Sequence, residues 1–143
     1  MKKLLMLLFT LPLIGCTKRT GVTSEMIVYD YSDVSDKAIE WKQLFDIEKE
    51  LYFVYIYSLT CPHCKEIKQD VLNGSINDGW DIYYIEYNSE IPIGERKEQY
   101  IGVSNYEDMA IIGVPTLLEI KEHTLNEMYI GSTSIISTLY KRR

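Results

Sequence analysis

Apolar runs rich in aromatic and β-branched residues recur along the chain and predict β-strands. They lie at residues 26–31, 51–57, 81–87, 116–120 and 125–131. The run at 51–57 is apolar at nearly every position, which is typical of a central strand covered on both faces. Only a short polar turn separates the last two runs, so we expect them to form a hairpin.

The segments between these strands predict helices. Residues 32–50 show apolar positions at helical spacing, which predicts an amphipathic helix. Its apolar face is expected to contain Val34, Ala38, Trp41 and Phe45. A second helix follows the strand at 51–57 and is expected to stop at Gly74, because glycine commonly ends helices.

The sequence predicts a short helix at 93–102, a helical turn capped by Ser104 or Asn105 within 104–111, and a final helix at 132–142. The order of elements is therefore β-α-β-α-β-α-β-β-α. It predicts an α/β fold with a central mixed β-sheet flanked by helices.

The N-terminus, "MKKLLMLLFTLPLIGC", has a different pattern from the rest of the chain. Two lysines precede an apolar run of eleven residues, 4–14, and then come Gly15 and Cys16. A spanning helix needs about 20 apolar residues, so the run suits a signal peptide. "LIGC" resembles the lipobox of bacterial lipoproteins, and this resemblance implies that Cys16 is joined to diacylglycerol and becomes the first mature residue. A plain secretory signal with an incidental cysteine is the alternative.

These features predict three parts: a lipoprotein signal peptide at 1–15, a lipidated cysteine with a polar tether at 16–25, and a domain at 26–143. The net charge of -6 argues against a nucleic-acid partner. Without the two lysines of residues 1–15, the 15 basic residues become 13 against 21 acidic ones, a net charge of -8. Because so acidic a domain would not bind anionic lipid by itself, we expect Cys16 to be its contact with the bilayer, on the extracytoplasmic face of a bacterial membrane.

The candidate chemistry lies in "CPHC", Cys61 to Cys64, directly after the strand at 51–57. If Cys16 carries lipid, these two cysteines remain as a pair. A helix N-terminus at Cys61 would favour its thiolate, through free N–H groups and the helix dipole. Pro62 suits the first helical turn, and His63 adds a donor and partial positive charge beside the sulfur. Cys64, one turn along and more buried, would be the resolving thiol.

Two other roles for the cysteine pair fit the sequence less well. A structural disulfide closing a four-residue loop would contribute only about 2 kcal/mol by chain entropy. A metal site needs more ligands, yet His63 and His123 are the only histidines, and Lys65 after Cys64 excludes the haem attachment signature. We expect neither a metal nor a cofactor.

The combination of "CPHC" after a buried strand with "GVPT" (113–116) before a hairpin and a final helix closely resembles thioredoxin, over residues 26–140. The tetrapeptide is also similar to that of Dsb-type disulfide oxidases, although there is no room here for their inserted helical domain. The resemblance implies a thioredoxin fold with a cis bond before Pro115. It also implies that Val114, Pro115 and Thr116 lie opposite the first cysteine, where a substrate strand can pair with the backbone.

Two positions depart from the thioredoxin pattern. Tyr55 stands where the family keeps a buried acid, six residues before the first cysteine, so the proton acceptor for Cys64 is left open, with water or the Tyr55 hydroxyl as candidates. Gln69 stands where thioredoxins have a proline that kinks the helix.

The resemblance implies a thiol–disulfide oxidoreductase that acts on cysteines of exported proteins through a Cys61–Cys64 disulfide. Stabilising a thiolate favours the reduced form of the pair and raises its reduction potential by about 30 mV per 1.4 kcal/mol. Because the histidine adds partial positive charge beside the sulfur, it favours an oxidase. A reductase supplied by a membrane or extracytoplasmic redox partner is one alternative. A thioredoxin-fold module that binds clients without catalysis is another. We expect a monomer.

Overall fold

The computed structural model describes residues 26–141. The signal peptide, Cys16 and the tether predicted at 1–25 lie outside the described residues. The strands are β1 (Leu51–Tyr57), β2 (Ile82–Glu86), β3 (Thr116–Lys121) and β4 (Thr124–Ile130). The α-helices are α1 (Pro62–Ile76) and α2 (Ser132–Lys141). Short 3₁₀ helices lie at Tyr31–Lys37, Trp41–Gln43, Lys97–Gln99 and Tyr106–Asp108.

Within residues 26–141 the strands form one four-stranded sheet in the order β2-β1-β3-β4. The central strand β1 runs parallel to β2 and antiparallel to β3, and β3 and β4 form the expected hairpin. This is a thioredoxin-like fold, a mixed sheet flanked by helices, so the predicted fold class is confirmed.

The two faces of β1 bury alternate side chains, because successive residues of a strand point to opposite sides. Tyr52, Val54 and Ile56 belong to one buried cluster, which is covered by the 3₁₀ helix Trp41–Gln43 and by residues 91–111. Phe53, Tyr55 and Tyr57 belong to the other cluster, which α1 and α2 cover. β1 is therefore covered on both faces, and α1 begins at Pro62, shortly after the strand ends.

The predictions for residues 26–50 are wrong, although Val34, Trp41 and Phe45 are buried as expected. Residues 26–30 form no strand. Instead, the backbone of Tyr29 pairs with the side chain of Gln69, which accepts from the Tyr29 N–H at 2.9 Å and donates to its carbonyl at 2.7 Å. The predicted helix is broken because Ala38 forms a parallel bridge with Tyr84 at the edge of β2.

Two further predictions are corrected. Gly74 does not end the second helix: α1 continues to Ile76, and the Gly74 carbonyl accepts from the N–H of Trp80. The helix predicted at 93–102 is a single 3₁₀ turn, Lys97–Gln99. The helical turn predicted within 104–111 is confirmed as the 3₁₀ turn Tyr106–Asp108, capped by Asn105. An isolated bridge between Ile93 and Ile111 holds this region in an extended form. No helix between residues 26 and 141 is both long and apolar enough to span a bilayer.

Candidate functional site

Cys61 occupies the N-cap of α1. The turn before it is closed by a hydrogen bond from the Cys61 N–H to the Ser58 carbonyl, at 3.2 Å. Extended backbone at Cys61 (φ -78°, ψ 120°) then directs its side chain over the first turn of α1, where Sγ accepts from the Cys64 N–H at 3.3 Å. One of the free N–H groups of the helix therefore already points at this sulfur, an arrangement that favours negative charge on it.

Cys64 lies one turn along α1, and its side chain is almost completely buried, with 1% exposed. Burial, followed by the hydrogen bond with the Cys61 sulfur, raises the pKa of the Cys64 thiol to about 12. Both cysteines are free thiols. The pair thus consists of a half-buried sulfur at a helix end and a buried sulfur that keeps its proton at neutral pH.

A second loop, distant in sequence, approaches Cys61. The peptide bond between Val114 and Pro115 is cis, as expected. The Val114 carbonyl lies 3.6 Å from Cys61 Sγ and accepts from that thiol. Thr116 is buried at the start of β3, and its hydroxyl donates to the Gly113 carbonyl at 2.6 Å, which closes the loop on itself. The sheet therefore brings 61–64 and 114–116 together.

Pro62 is the first residue of α1, where its missing N–H leaves no partner unsatisfied. His63 is exposed and turned toward Glu66, with 3.5 Å between Nδ1 and the carboxylate. Cys61 Sγ accepts from the Cys64 N–H, donates to the Val114 carbonyl and forms a hydrogen bond with the Cys64 thiol. The side-chain partner of the His63 ring is the Glu66 carboxylate.

Tyrosines surround the buried side of the pair, and the sequence pointed to Tyr55 alone among them. The rings of Tyr31 and Tyr57 stack with 3.8 Å between centroids, and those of Tyr55 and Tyr57 with 5.8 Å. Tyr84 meets Tyr55 edge to face at 6.2 Å. The alternation of Tyr55 and Tyr57 on one face of β1 was visible in the sequence, but the position of Tyr31 depends on the unpredicted path of residues 26–40. We call Tyr31, Tyr55, Tyr57 and Tyr84 the tyrosine cluster.

Among residues 26–141 no group of three or more His, Cys, Asp or Glu side chains is placed to hold a metal ion. The described site contains two free thiols. Their unequal environments suit exchange of electron pairs with another sulfur, since one sulfur is accessible and the other lies behind it.

No model of a protein family and no curated protein matches the sequence. Solved structures similar to this chain include thioredoxin f2 of Chlamydomonas reinhardtii, with 18% identity, a TM-score of 0.46 and coverage of 74% of this chain and 94% of that one. Thioredoxin of Plasmodium falciparum has 18% identity, a TM-score of 0.49 and coverage of 75% and 99%. Mitochondrial thioredoxin 3 of Saccharomyces cerevisiae has 16% identity, a TM-score of 0.49 and coverage of 77% and 98%. Because these scores lie below 0.5, the fold assignment rests on the strand order and direction described above.

Proposed function

We propose that the protein is a thiol–disulfide oxidoreductase, anchored by lipid to the extracytoplasmic face of a bacterial membrane, that exchanges disulfides with exported proteins. One observation supports this most directly. Cys61 Sγ lies at the N-terminus of α1, beside the N–H of Cys64 and opposite the carbonyl of Val114. This geometry supplies a reactive sulfur, a resolving thiol and a backbone edge for a substrate strand.

The exchange proceeds through a mixed disulfide. When the protein oxidises a substrate, a substrate thiolate attacks Cys61 in the Cys61–Cys64 disulfide, and Cys64 leaves with the electron pair. The second substrate thiolate then attacks the substrate sulfur that is bound to Cys61, and Cys61 leaves as a thiolate. The substrate loses two electrons and the cysteine pair gains them. Running the steps backwards reduces a substrate disulfide, with Cys61 as the attacking sulfur and Cys64 as the resolving one.

The proposed binding edge is the backbone of Val114. A substrate in extended conformation would pair with this residue beside Cys61, while Pro115 and Thr116 hold the loop in place. Since β-type pairing uses main-chain groups, it tolerates many sequences around the substrate cysteine. That tolerance suits an enzyme that acts on a class of exported proteins.

Trapping tests this function. A Cys64→Ser chain expressed in its native membrane is expected to accumulate mixed disulfides with exported proteins through Cys61, because the resolving thiol is missing. The matched control is the Cys61→Ser, Cys64→Ser double variant, which should accumulate none. Equal capture of proteins by the double variant, without disulfide bonds, would instead identify a module that binds clients and does not catalyse exchange.

We propose the oxidising direction, since the positive end of the α1 dipole stabilises the reduced pair. The expected reduction potential is less negative than the roughly -270 mV of thioredoxin. The Glu66 carboxylate 3.5 Å from His63 Nδ1 is the observation that favours the alternative, a reductase, because a negative charge beside the motif disfavours a thiolate on Cys61. A potential at or below about -270 mV would support that alternative.

A further inference from the structure

In either direction of exchange, Cys64 passes through a thiolate inside the core. Its side chain belongs to the same buried cluster as Tyr55, Tyr84 and Leu117. A buried anion is costly unless a hydrogen-bond donor or an opposite charge compensates it. Backbone hydrogen bonds at Ser58 and Cys64 lower the pKa of the Cys64 thiol, yet burial still raises it to about 12. A further donor from a neighbouring side chain would therefore stabilise the Cys64 thiolate.

The tyrosine cluster contains such a donor. In residues 26–141, the buried side-chain oxygen and nitrogen atoms without a hydrogen-bond partner are the hydroxyls of Tyr55 and Tyr84. An unpartnered buried hydroxyl destabilises a fold, and a phenylalanine would fill the same space without that penalty. The two hydroxyls are therefore candidates for a role that packing does not explain.

Tyr55 and Tyr84 differ in what surrounds their hydroxyls. Burial, then the charges of Tyr31 and Cys64, raise the pKa of Tyr55 well above its usual value. Burial also raises the pKa of Tyr84, to about 12. The neighbouring side chain with the largest effect on that pKa is Ser75, near the end of α1. Tyr84 lies on the edge strand β2, whereas Tyr55 lies on β1, the strand that leads into the cysteine turn. Because it keeps its proton across the physiological pH range, it can donate a hydrogen bond but cannot act as a base.

We propose that the Tyr55 hydroxyl donates a hydrogen bond to the Cys64 thiolate whenever the Cys61–Cys64 disulfide forms or opens. The inference rests on the proposed exchange function. In the closing step, Cys64 releases its proton to solvent, its sulfur bonds to Cys61 Sγ, and the sulfur previously bound to Cys61 leaves with the electron pair. Tyr55 stabilises the negative sulfur during this step and keeps its own proton.

Tyr31 connects the tyrosine cluster to the surface of the domain. It is half-buried and stacks on Tyr57, and Tyr31 and Tyr55 each influence the pKa of the other. The ammonium of Lys68 lies 5.0 Å from the centre of the Tyr31 ring. Tyr31 thus lies between the buried hydroxyl of Tyr55 and the surface of the domain.

An aromatic disulfide, 5,5′-dithiobis(2-nitrobenzoate), separates the two half-reactions in one stopped-flow experiment. Reduced full-length protein carrying Cys16→Ser releases a first coloured thiolate when Cys61 attacks, and a second when Cys64 attacks the mixed disulfide. Tyr55→Phe is expected to leave the first phase unchanged and to slow the second about tenfold at neutral pH, as a shift of one pKa unit would. The variant should reach the parent's second-phase rate only when its pH is raised by about one unit.

Tyr84→Phe is the matched control, since it removes the other unpartnered hydroxyl from the strand position that pairs with Tyr55. Both of its phases should match the parent, and thermal unfolding should show that neither variant is less stable. The inference is overturned if Tyr55→Phe keeps the parental second phase and pH profile, or if both variants slow that phase equally. The proposed function fails separately, if the parent protein shows no second phase that depends on Cys64.

Discussion

Cys61 and Cys64 differ in environment although they belong to the same helical turn. Cys61 is half-buried, caps α1 and lies 3.6 Å from the Val114 carbonyl. Cys64 is buried, and its pKa is raised to about 12, first by that burial. On this difference we propose the attacking role for Cys61 and the resolving role for Cys64.

Alkylation measures this difference directly. When the reduced protein reacts with iodoacetamide at pH 7, we expect Cys61 to be modified while Cys64 remains a thiol, because Cys64 is both inaccessible and protonated. Peptide mass spectrometry after quenching gives the rate at each position. A Cys61→Ser variant is the control, and its Cys64 should stay unmodified on the same timescale. Equal rates at the two positions would contradict the assigned roles.

At the scale of elements, the parts of the fold that depend on local pattern were predicted from the sequence. The buried run of β1, the β3–β4 hairpin and α2 all formed close to their predicted bounds. The N-terminal region was mispredicted because its structure depends on distant partners: Ala38 pairs with Tyr84, and Tyr29 pairs with Gln69. Periodicity within residues 26–50 carries no information about either contact.

Gln69 is therefore expected to hold residues 26–30 against α1. Gln69→Ala removes both hydrogen bonds to the Tyr29 backbone and, since they are exposed, should lower the free energy of unfolding by up to about 1 kcal/mol. Hydrogen exchange of the Tyr29 amide should become faster, while exchange in β1 stays unchanged. Lys65→Ala, at an exposed position of the same helix, is the control. Unchanged protection of Tyr29 in Gln69→Ala would show that the segment is held by other contacts.

We expect Asp30, the N-cap of the 3₁₀ helix Tyr31–Lys37, to make the stability of the fold depend on pH in the acidic range. Hydrogen bonds from Lys68 and from the Tyr31 N–H hold the pKa of Asp30 below its usual value. Such a carboxylate stabilises the folded state above its unfolded-state pKa and loses that contribution as the pH falls through its folded-state pKa. Asp30→Asn should therefore lower stability at neutral pH and reduce the loss of stability below about pH 4.

Chemical denaturation at a series of pH values would check this dependence. Asp36→Asn, an exposed change in the same 3₁₀ helix, is the control and should retain the parental acid dependence. An Asp30→Asn protein that loses stability in acid as steeply as the parent would show that other carboxyl groups govern the transition.

At the scale of the whole molecule, the site depends on two regions that the sheet joins. Residues 61–64 follow β1, and residues 114–116 lead into β3. These two strands are hydrogen-bonded neighbours. Both motifs were visible in the sequence. The resemblance to thioredoxin led us to expect that they meet. The tyrosine cluster behind Cys64 was not visible in the sequence, because Tyr31 reaches it through a segment with no regular pattern.

A Cys16→Ser variant tests whether the protein is anchored to a membrane. Because the net charge of residues 16–143 is strongly negative, we expect membrane association to require the lipid. Cys16→Ser should move the protein from the membrane fraction to the soluble fraction after cell lysis, with Cys61→Ser as a control that stays with the membrane. A Cys16→Ser protein that still sediments with membranes would contradict the anchor.

The central claim is that Cys61 and Cys64 act as one redox pair, and equilibration with glutathione tests it most directly. The reduced protein is held in buffers of increasing glutathione disulfide content, acid-quenched, alkylated and weighed by mass spectrometry. The account predicts one two-electron transition from dithiol to a Cys61–Cys64 disulfide, with a lasting glutathione adduct on Cys61 in Cys64→Ser alone. Independent adducts on both cysteines of the parent protein, without a disulfide between them, would contradict it.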